Sequence, residues 1–250
     1  MLLRCIRFLL CTLILVVVGA SCDVLFRQNV RSEQPATPAL PFPTCNSNDI
    51  ECLRRGLRTF FILMDSGYVG MKPIDPVIVN SVAISLPEEQ TSFLLRRANV
   101  TGTKWTRLAD RKFYLRGGKS GVTFNTDLHV TGEFTMLMAS RLEPYIAHLT
   151  MDIENVETNI TYNWFSERRI DKEDYIFIGP ERIAVRNMRL PTFFLQPNSE
   201  DSSIIEHMLQ SKQSILDHIS NEITAAVMHD VVDNFRLFAS KVPIKYYYNY

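Results

Sequence analysis

Hydrophobic and polar positions alternate strictly from Val122 to Met138. The even positions read Val, Phe, Thr, Leu, Val, Gly, Phe, Met, Met, and the odd positions Thr, Asn, Asp, His, Thr, Glu, Thr, Leu. One dry and one wet face over that length predict a strand far longer than the usual 5–6 residues. Gly132 inside it predicts a bulge or bend. A second alternating stretch runs from Tyr145 to Phe165, with Leu149, Met151 and Ile153 on one parity and Val156, Ile160, Tyr162 and Trp164 on the other. The phase changes once, near Glu154-Asn155. An extra residue at a bulge restores both halves to one face, and a hairpin turn there is the competing explanation. Tyr175–Leu190 alternates again, broken at Gly179-Pro180, and β-branched residues make Val77–Leu86 a further strand. The Arg-rich stretch that follows, up to Asp110, gives no clear pattern.

Two segments carry helical spacing instead. Asn48 as N-cap with Glu51 three residues on forms a capping-box pattern, and Gly67 is a stop signal. Between them Ile50, Leu57, Phe60, Phe61 and Leu63 form an apolar stripe, with Glu51, Arg54, Arg55 and Arg58 on the wet side. From Ser202 to Ala239, Ile204, Ile205, Met208, Leu209, Ile215, Leu216, Ile219, Ile223, Val227, Val231 and Phe235 recur without Gly or Pro, predicting one helix of roughly 55 Å. The resulting fold class is α+β: a long, strongly curved antiparallel sheet wrapped around a long C-terminal helix as an elongated tube, with a shorter N-terminal helix.

The first residues change the picture of where this domain works. Arg4 and Arg7, an apolar run from Phe8 to Val18 and small residues at Gly19, Ala20 and Ser21 form a secretory signal peptide, placed at 1–22; cleavage after Ala20 and after Cys22 both fit. The apolar run is too short for the roughly 20 residues of a membrane-spanning helix, so no stable membrane insertion is expected. A Pro-rich lead-in follows at 23–44, with Pro35, Pro38, Pro41 and Pro43, and a single domain at 45–250. Sequons at Asn99 and Asn159 suit an extracellular glycoprotein. Lys plus Arg and Asp plus Glu number 27 each, so no global field draws the chain to nucleic acid or an anionic membrane.

Candidate chemistry is sparse. "GGKSG" at 117–121 lacks the first glycine of a phosphate loop, Phe113 standing there, and reads as a hairpin turn. No G-x-S-x-G occurs, which disfavours a serine hydrolase, though triads without that motif exist; a non-enzyme is expected, with a secreted hydrolase as a further alternative. His207, His218 and His229 recur along one helical strip about 16 Å apart, too far to share a metal, so they read as a solvated edge. His129 and His148 carry no role, and neither metal nor cofactor is expected. Cys45 and Cys52 have no further cysteine pair or nearby histidine to complete a metal site, and an oxidising compartment favours a disulfide between them. What remains is an apolar concave face. Phe124, Leu128, Val130, Phe134, Met136, Met151 and Ile153 are the residues expected to line a tunnel, with ordinary sheet-to-helix core as the alternative.

The order of the pieces adds to this. "CNSNDIECLRRGL" (45–57), "KPIDPVIV" (72–79), "NVTGTKWTRL" (99–108), the long strand, the late helix and "FASKVPI" (238–244) resemble the insect takeout and haemolymph juvenile-hormone-binding protein family, related to the tubular lipid-binding proteins. The resemblance implies a secreted carrier whose partner is a small hydrophobic ligand, such as a juvenile hormone-like terpenoid or a fatty acid. It also implies that Cys45 and Cys52 form the family's amino-terminal disulfide. "ASRLEPYIAH" at 139–148 departs from the family pattern and leaves the ligand open. The alternative is a secreted module that binds a receptor, another protein or a membrane through its outer face or the Tyr246–Tyr250 tail.

Overall fold

The computed structural model describes residues 44–46, 48–112, 118–197 and 199–249, with Glu89 by its backbone alone. The signal peptide, Cys22, the lead-in up to residue 43, Gly117 and Tyr250 lie outside the described residues.

A short strand β1 (Cys45–Asn46) leads into helix α1 (Ile50–Asp65). The N-cap is Asp49 rather than Asn48: the Asp49 N–H donates to the Asn46 carbonyl, which places Asn48 within that turn. The Asp49 carboxylate then accepts the Cys52 N–H at 2.9 Å. Glu51 does not close a capping box, because it accepts from Arg54 at 2.5 Å. Gly67 stops the helix as expected, in the left-handed region at φ 71°. Phe60, Phe61 and Met64 are buried, while Glu51, Arg54, Arg55 and Arg58 are exposed.

Seven antiparallel strands form one sheet: β2 (Val77–Leu86), β3 (Thr91–Thr101), β4 (Arg107–Lys112), β5 (Gly118–Met138), β6 (Tyr145–Arg168), β7 (Asp174–Asn187) and β8 (Thr192–Gln196). The path is β2-β3-β5-β6-β7, with β4 also on β5 and β8 also on β6. The long strands have 21 and 24 residues. Gly118–Gly121 are not a turn but the start of β5, paired with Thr161–Trp164; their register continues the β5–β6 ladder.

Bulges curl this sheet, because each adds a residue to one strand and sharpens the local twist. Opposite Gly132, β3 carries an extra residue at Arg97-Ala98, with Arg97 at φ 48°. A Cβ on Gly132 would lie 3.0 Å from Leu95 and 3.1 Å from the Ala98 Cα, so the bulge and the glycine require each other. On β6 the phase change at Glu154-Asn155 is a bulge and not a turn: Thr126 pairs with Val156 and Leu128 with Ile153. Val156, Thr158, Ile160 and Trp164 thereby stay on the buried face with Leu149, Met151 and Ile153. The Gly179-Pro180 break is likewise a bulge inside β7, between partners Tyr162↔Glu181 and Trp164↔Ile178.

Both edges of the β5–β6 ribbon change partners at the level of the Asn155 bulge. On β5, β3 pairs with His129–Met138 and β4 with Gly121–Asn125. On β6, β8 pairs with His148–Asp152 and β7 with Val156–Arg168. The sheet is thus two flanked halves on one continuous ribbon.

The C-terminal helix is broken. Helix α2 (Glu200–Ser211) and helix α3 (Gln213–Lys241, 29 residues) meet at Lys212, whose φ −114° and ψ 71° are not helical. The apolar stripe lapses there, since Gln210, Ser211, Lys212, Gln213 and Ser214 offer no apolar side chain to hold more than a turn against the sheet. Helix α3 packs mainly on β7 and also on β2, at the two ends of the strand path, and so spans the curl. Glu181 of β7, its side chain only 7% exposed, pairs with both His229 and Arg236 of α3. Arg236 also donates to the Gly179 carbonyl at 2.8 Å, a group the β7 bulge turns toward the helix. His207, His218 and His229 are all exposed. No helix among the described residues is long and apolar enough to cross a membrane.

Candidate functional site

Beyond α3 the chain turns back and ends in strand β9 (Tyr248–Asn249), which pairs in parallel with β1. The Cys45 N–H donates to the Tyr247 carbonyl at 3.2 Å, and Cys45 is disulfide-bonded to Cys52 of α1, Cα to Cα 5.6 Å. This strap, α1, α3 and the β4/β7 half of the sheet enclose a partly open cavity of about 200 Å³.

Each wall follows from the periodicity of its element. Leu53, Gly56, Leu57 and Phe60 are one face of α1, and Val232, Phe235, Phe238 and Ala239 one face of α3. Leu108 and Arg111 of β4, Val122 and Phe124 of β5, Ile160 and Tyr162 of β6, and Ile176 and Ile178 of β7 are the inward residues of adjoining strands. Cys45, Tyr247 and Tyr248 complete the lining. Aromatic contacts run along one side: Phe60 stacks on Phe235 at 4.3 Å and meets Phe238 edge-on at 5.1 Å, Phe238 lies 5.4 Å from Tyr247, and Tyr247 lies 5.7 Å from Tyr248. The Arg111 guanidinium sits 4.7 Å from the centre of the Tyr248 ring. Beneath, Trp164, Ile176, Ala239, Ile244 and Tyr248 form a buried cluster, with the Trp164 indole N–H donating to Ser120 at 3.0 Å.

Arg111 is the single charged residue in this lining among the described residues. Burial holds its guanidinium below the ordinary value, with Tyr162 acting in the opposite sense, and burial pushes the Tyr162 phenol above its own. Among the described residues the lining therefore offers apolar surface, one cation and three phenols, and no carboxylate.

All seven residues expected to line a tunnel are buried. Phe124 borders the cavity; Leu128, Val130, Phe134, Met136, Met151 and Ile153 lie across the ribbon midpoint, in the half flanked by β3 and β8, and are not among its lining residues. Leu57 and Phe60 were legible as a helix stripe and Val122 and Tyr162 as strand parity, yet nothing in the sequence assigned them to one cavity. Arg111 carried no signal, because β4 does not alternate cleanly. Asn159 is exposed and Asn99 half-buried.

No protein-family model matches the chain. No curated protein matches it by sequence either. Among solved structures, the crystal structure of Epiphyas postvittana Takeout 1 superimposes with a TM-score of 0.72 at 18% identity, over 83% of this chain and 99% of that one. A crystal structure of lipopolysaccharide binding protein aligns with a TM-score of 0.41 at 9% identity, over 75% of this chain and 37% of that one. The first of these shows the fold, a curled antiparallel sheet closed by a long C-terminal helix, and by that fold the chain is takeout-like.

Proposed function

We propose that the chain is a secreted, non-enzymatic carrier that holds one small hydrophobic molecule, a terpenoid, fatty acid or similar lipid, in the cavity between α1, α3 and the β4/β7 half of the sheet. The observation that carries this is the lining, which is aliphatic and aromatic on every wall with a single charged residue. Burial of the guest's apolar surface supplies the driving force, roughly 25 cal/mol per Å² before association costs. The volume of about 200 Å³ exceeds the roughly 150 Å³ that admits benzene to an apolar interior. Phe124 touches the guest, and Leu128, Val130, Phe134, Met136, Met151 and Ile153 continue the same concave face for a guest long enough to pass the ribbon midpoint. The takeout-like fold, the signal peptide at 1–22 and the exposed sequon at Asn159 support secretion into a disulfide-permissive compartment.

Organic extraction of the secreted, purified protein followed by mass spectrometry tests this, together with displacement of the fluorescent apolar probe N-phenylnaphthylamine. A co-purified lipid or saturable probe binding is expected. Recovery of neither overturns the carrier reading.

A second reading, an interaction module, rests on Phe165 and Phe177, stacked at 4.8 Å and each about half exposed. The tail is less suited to that task, since Tyr248 is buried.

A further inference from the structure

Resting on the carrier reading, we propose that the guest is an amphiphile with a phosphate monoester head. Its chain enters the cavity, and its head stays outside, among three arginines in a cleft beyond Leu57 and Leu108. That open cleft, of about 720 Å³, lies between α1 and the edge strand β4 and is lined by Arg54, Leu57 and Arg58 of the helix and by Arg107 and Leu108 of the strand. Leu57 and Leu108 line the apolar cavity as well, so the two spaces share a wall of two side chains. A molecule that passes this wall has its apolar part on one side and its polar part on the other.

The fold holds the arginines in place. Arg54 and Arg58 are four residues apart and so share one face of α1. Arg54 donates from Nε to the Leu108 carbonyl at 3.0 Å, which fixes its head at the shared wall, and from Nη1 to Glu51 at 2.5 Å. Arg58 donates to the Lys104 carbonyl at 3.2 Å and stacks on the Trp105 ring at 3.9 Å. Arg107 lies 3.6 Å from Asp127, longer than a hydrogen bond, and Asp127 accepts the Asn155 N–H at 2.7 Å. Each guanidinium carries five N–H donors in a rigid fork, so these contacts orient the three heads and leave donors on each for a ligand. Among the described residues the lining of the cleft holds no carboxylate.

The number of cations favours phosphate over carboxylate. A carboxylate has two oxygens and is satisfied by one fork, whereas a phosphate monoester presents three terminal oxygens and close to two charges at neutral pH. Three arginines on two elements suit the second. A neutral alcohol of the same chain buries the same apolar surface and gains nothing from them.

The test uses the full secreted protein and compares dodecyl phosphate with dodecanol, each displacing N-phenylnaphthylamine. Wild type is expected to hold the phosphate about 10-fold or more tighter than the alcohol, the span of a charge-assisted hydrogen bond. That ratio should fall as NaCl is raised, because an open cleft is screened and a buried charge is not. The double variant Arg58→Gln with Arg107→Gln should cut the ratio about threefold or more. Arg55→Gln, exposed on α1 and outside the lining, should keep it. A merely structural effect would weaken both guests together and leave the ratio unchanged. Millimolar inorganic phosphate at matched ionic strength should leave dodecyl phosphate binding unchanged; if it competes, the cleft is a site for the free ion and the lipid assignment falls. Equal wild-type affinities, a ratio insensitive to salt, or a ratio that survives the double variant overturn the inference and leave the carrier reading standing. Failure of phosphate, alcohol and probe alike overturns both. The wild-type ratio and its salt dependence decide the matter even where a variant fails to fold.

Discussion

Cys45 and Tyr248 are register partners in the parallel β1–β9 pair, and both line the cavity. The disulfide from Cys45 to Cys52 therefore ties three things to one point: the start of α1, the segment that follows α3, and the wall of the site.

Replacing Cys45 and Cys52 together by Ser should cost about 2.5 kcal/mol in urea unfolding, the chain-entropy value for so short a loop. It should also speed release of N-phenylnaphthylamine, since β1, β9 and Tyr248 lose their anchor to α1. A stopped-flow release rate equal to wild type would make the bond structural only.

Asn234 of α3 is buried and binds both backbone groups of Lys72: its carbonyl oxygen accepts the N–H at 2.8 Å, and its amide donates to the C=O at 2.8 Å. Asn234→Ala strands both, so a loss of about 3 kcal/mol is expected in denaturant unfolding. A cost near that of a surface substitution would mean that water replaces the side chain.

Two glycines should respond unequally. Gly102 sits at φ 101°, and a Cβ there would come 2.3 Å from the Asp127 carbonyl oxygen, backbone against backbone. Its N–H, with that of Lys104, donates to the Asp75 carboxylate. Gly102→Ala is expected to cost about 3 kcal/mol or prevent folding. Gly132→Ala, where the nearest contact is the movable Leu95 side chain at 3.0 Å, should cost about 1–2 kcal/mol. Melting temperatures in the reverse order would contradict the reading that Gly102 is the tighter of the two positions.

The Tyr175 hydroxyl donates to the Asp171 carboxylate at 2.7 Å, and this bond chiefly pushes the phenol up to about 12 from 10.0. The folded state therefore holds this proton more tightly than the unfolded chain. The contribution is complete below pH 10 and is lost as pH rises from 10 toward 12. Tyr175→Phe should flatten that alkaline decline, and the labelled ring should titrate late by NMR. Ionisation at the ordinary phenol value would disprove the linkage.

The strands were the legible part of the sequence, because one buried face writes a two-residue period. β2 has the bounds its β-branched run indicated, and the parity flip at Glu154-Asn155 located a bulge to the residue. β3 and the short strands were not legible: β3 is bulged at Arg97-Ala98, β4 carries its own bulge between Leu108 and Asp110, and β8 is five residues with its aromatics half-exposed. The break at Lys212 escaped because neither Gly nor Pro marks it; the sign was an absence of apolar residues from 210 to 214. Alternation identifies a face and not a position along it. Parity alone thus grouped Phe124 with Met136 and Met151, which the ribbon places in different halves, and the wall built by α1, α3 and the tail depends on contacts between distant segments.

The shared level at which β5 and β6 exchange neighbours sets how cooperativity is distributed. The half held by β2, β3 and β8 should keep its ladders when β4, α1 and the terminal strap loosen, since among the described residues no strand other than the ribbon pair hydrogen-bonds across that level. Amide protection should divide near Thr126–Leu128, with the cavity half exchanging by local opening. On the carrier proposal, loading and release of a guest would then need only local opening at one end of a clamped ribbon, and not global unfolding.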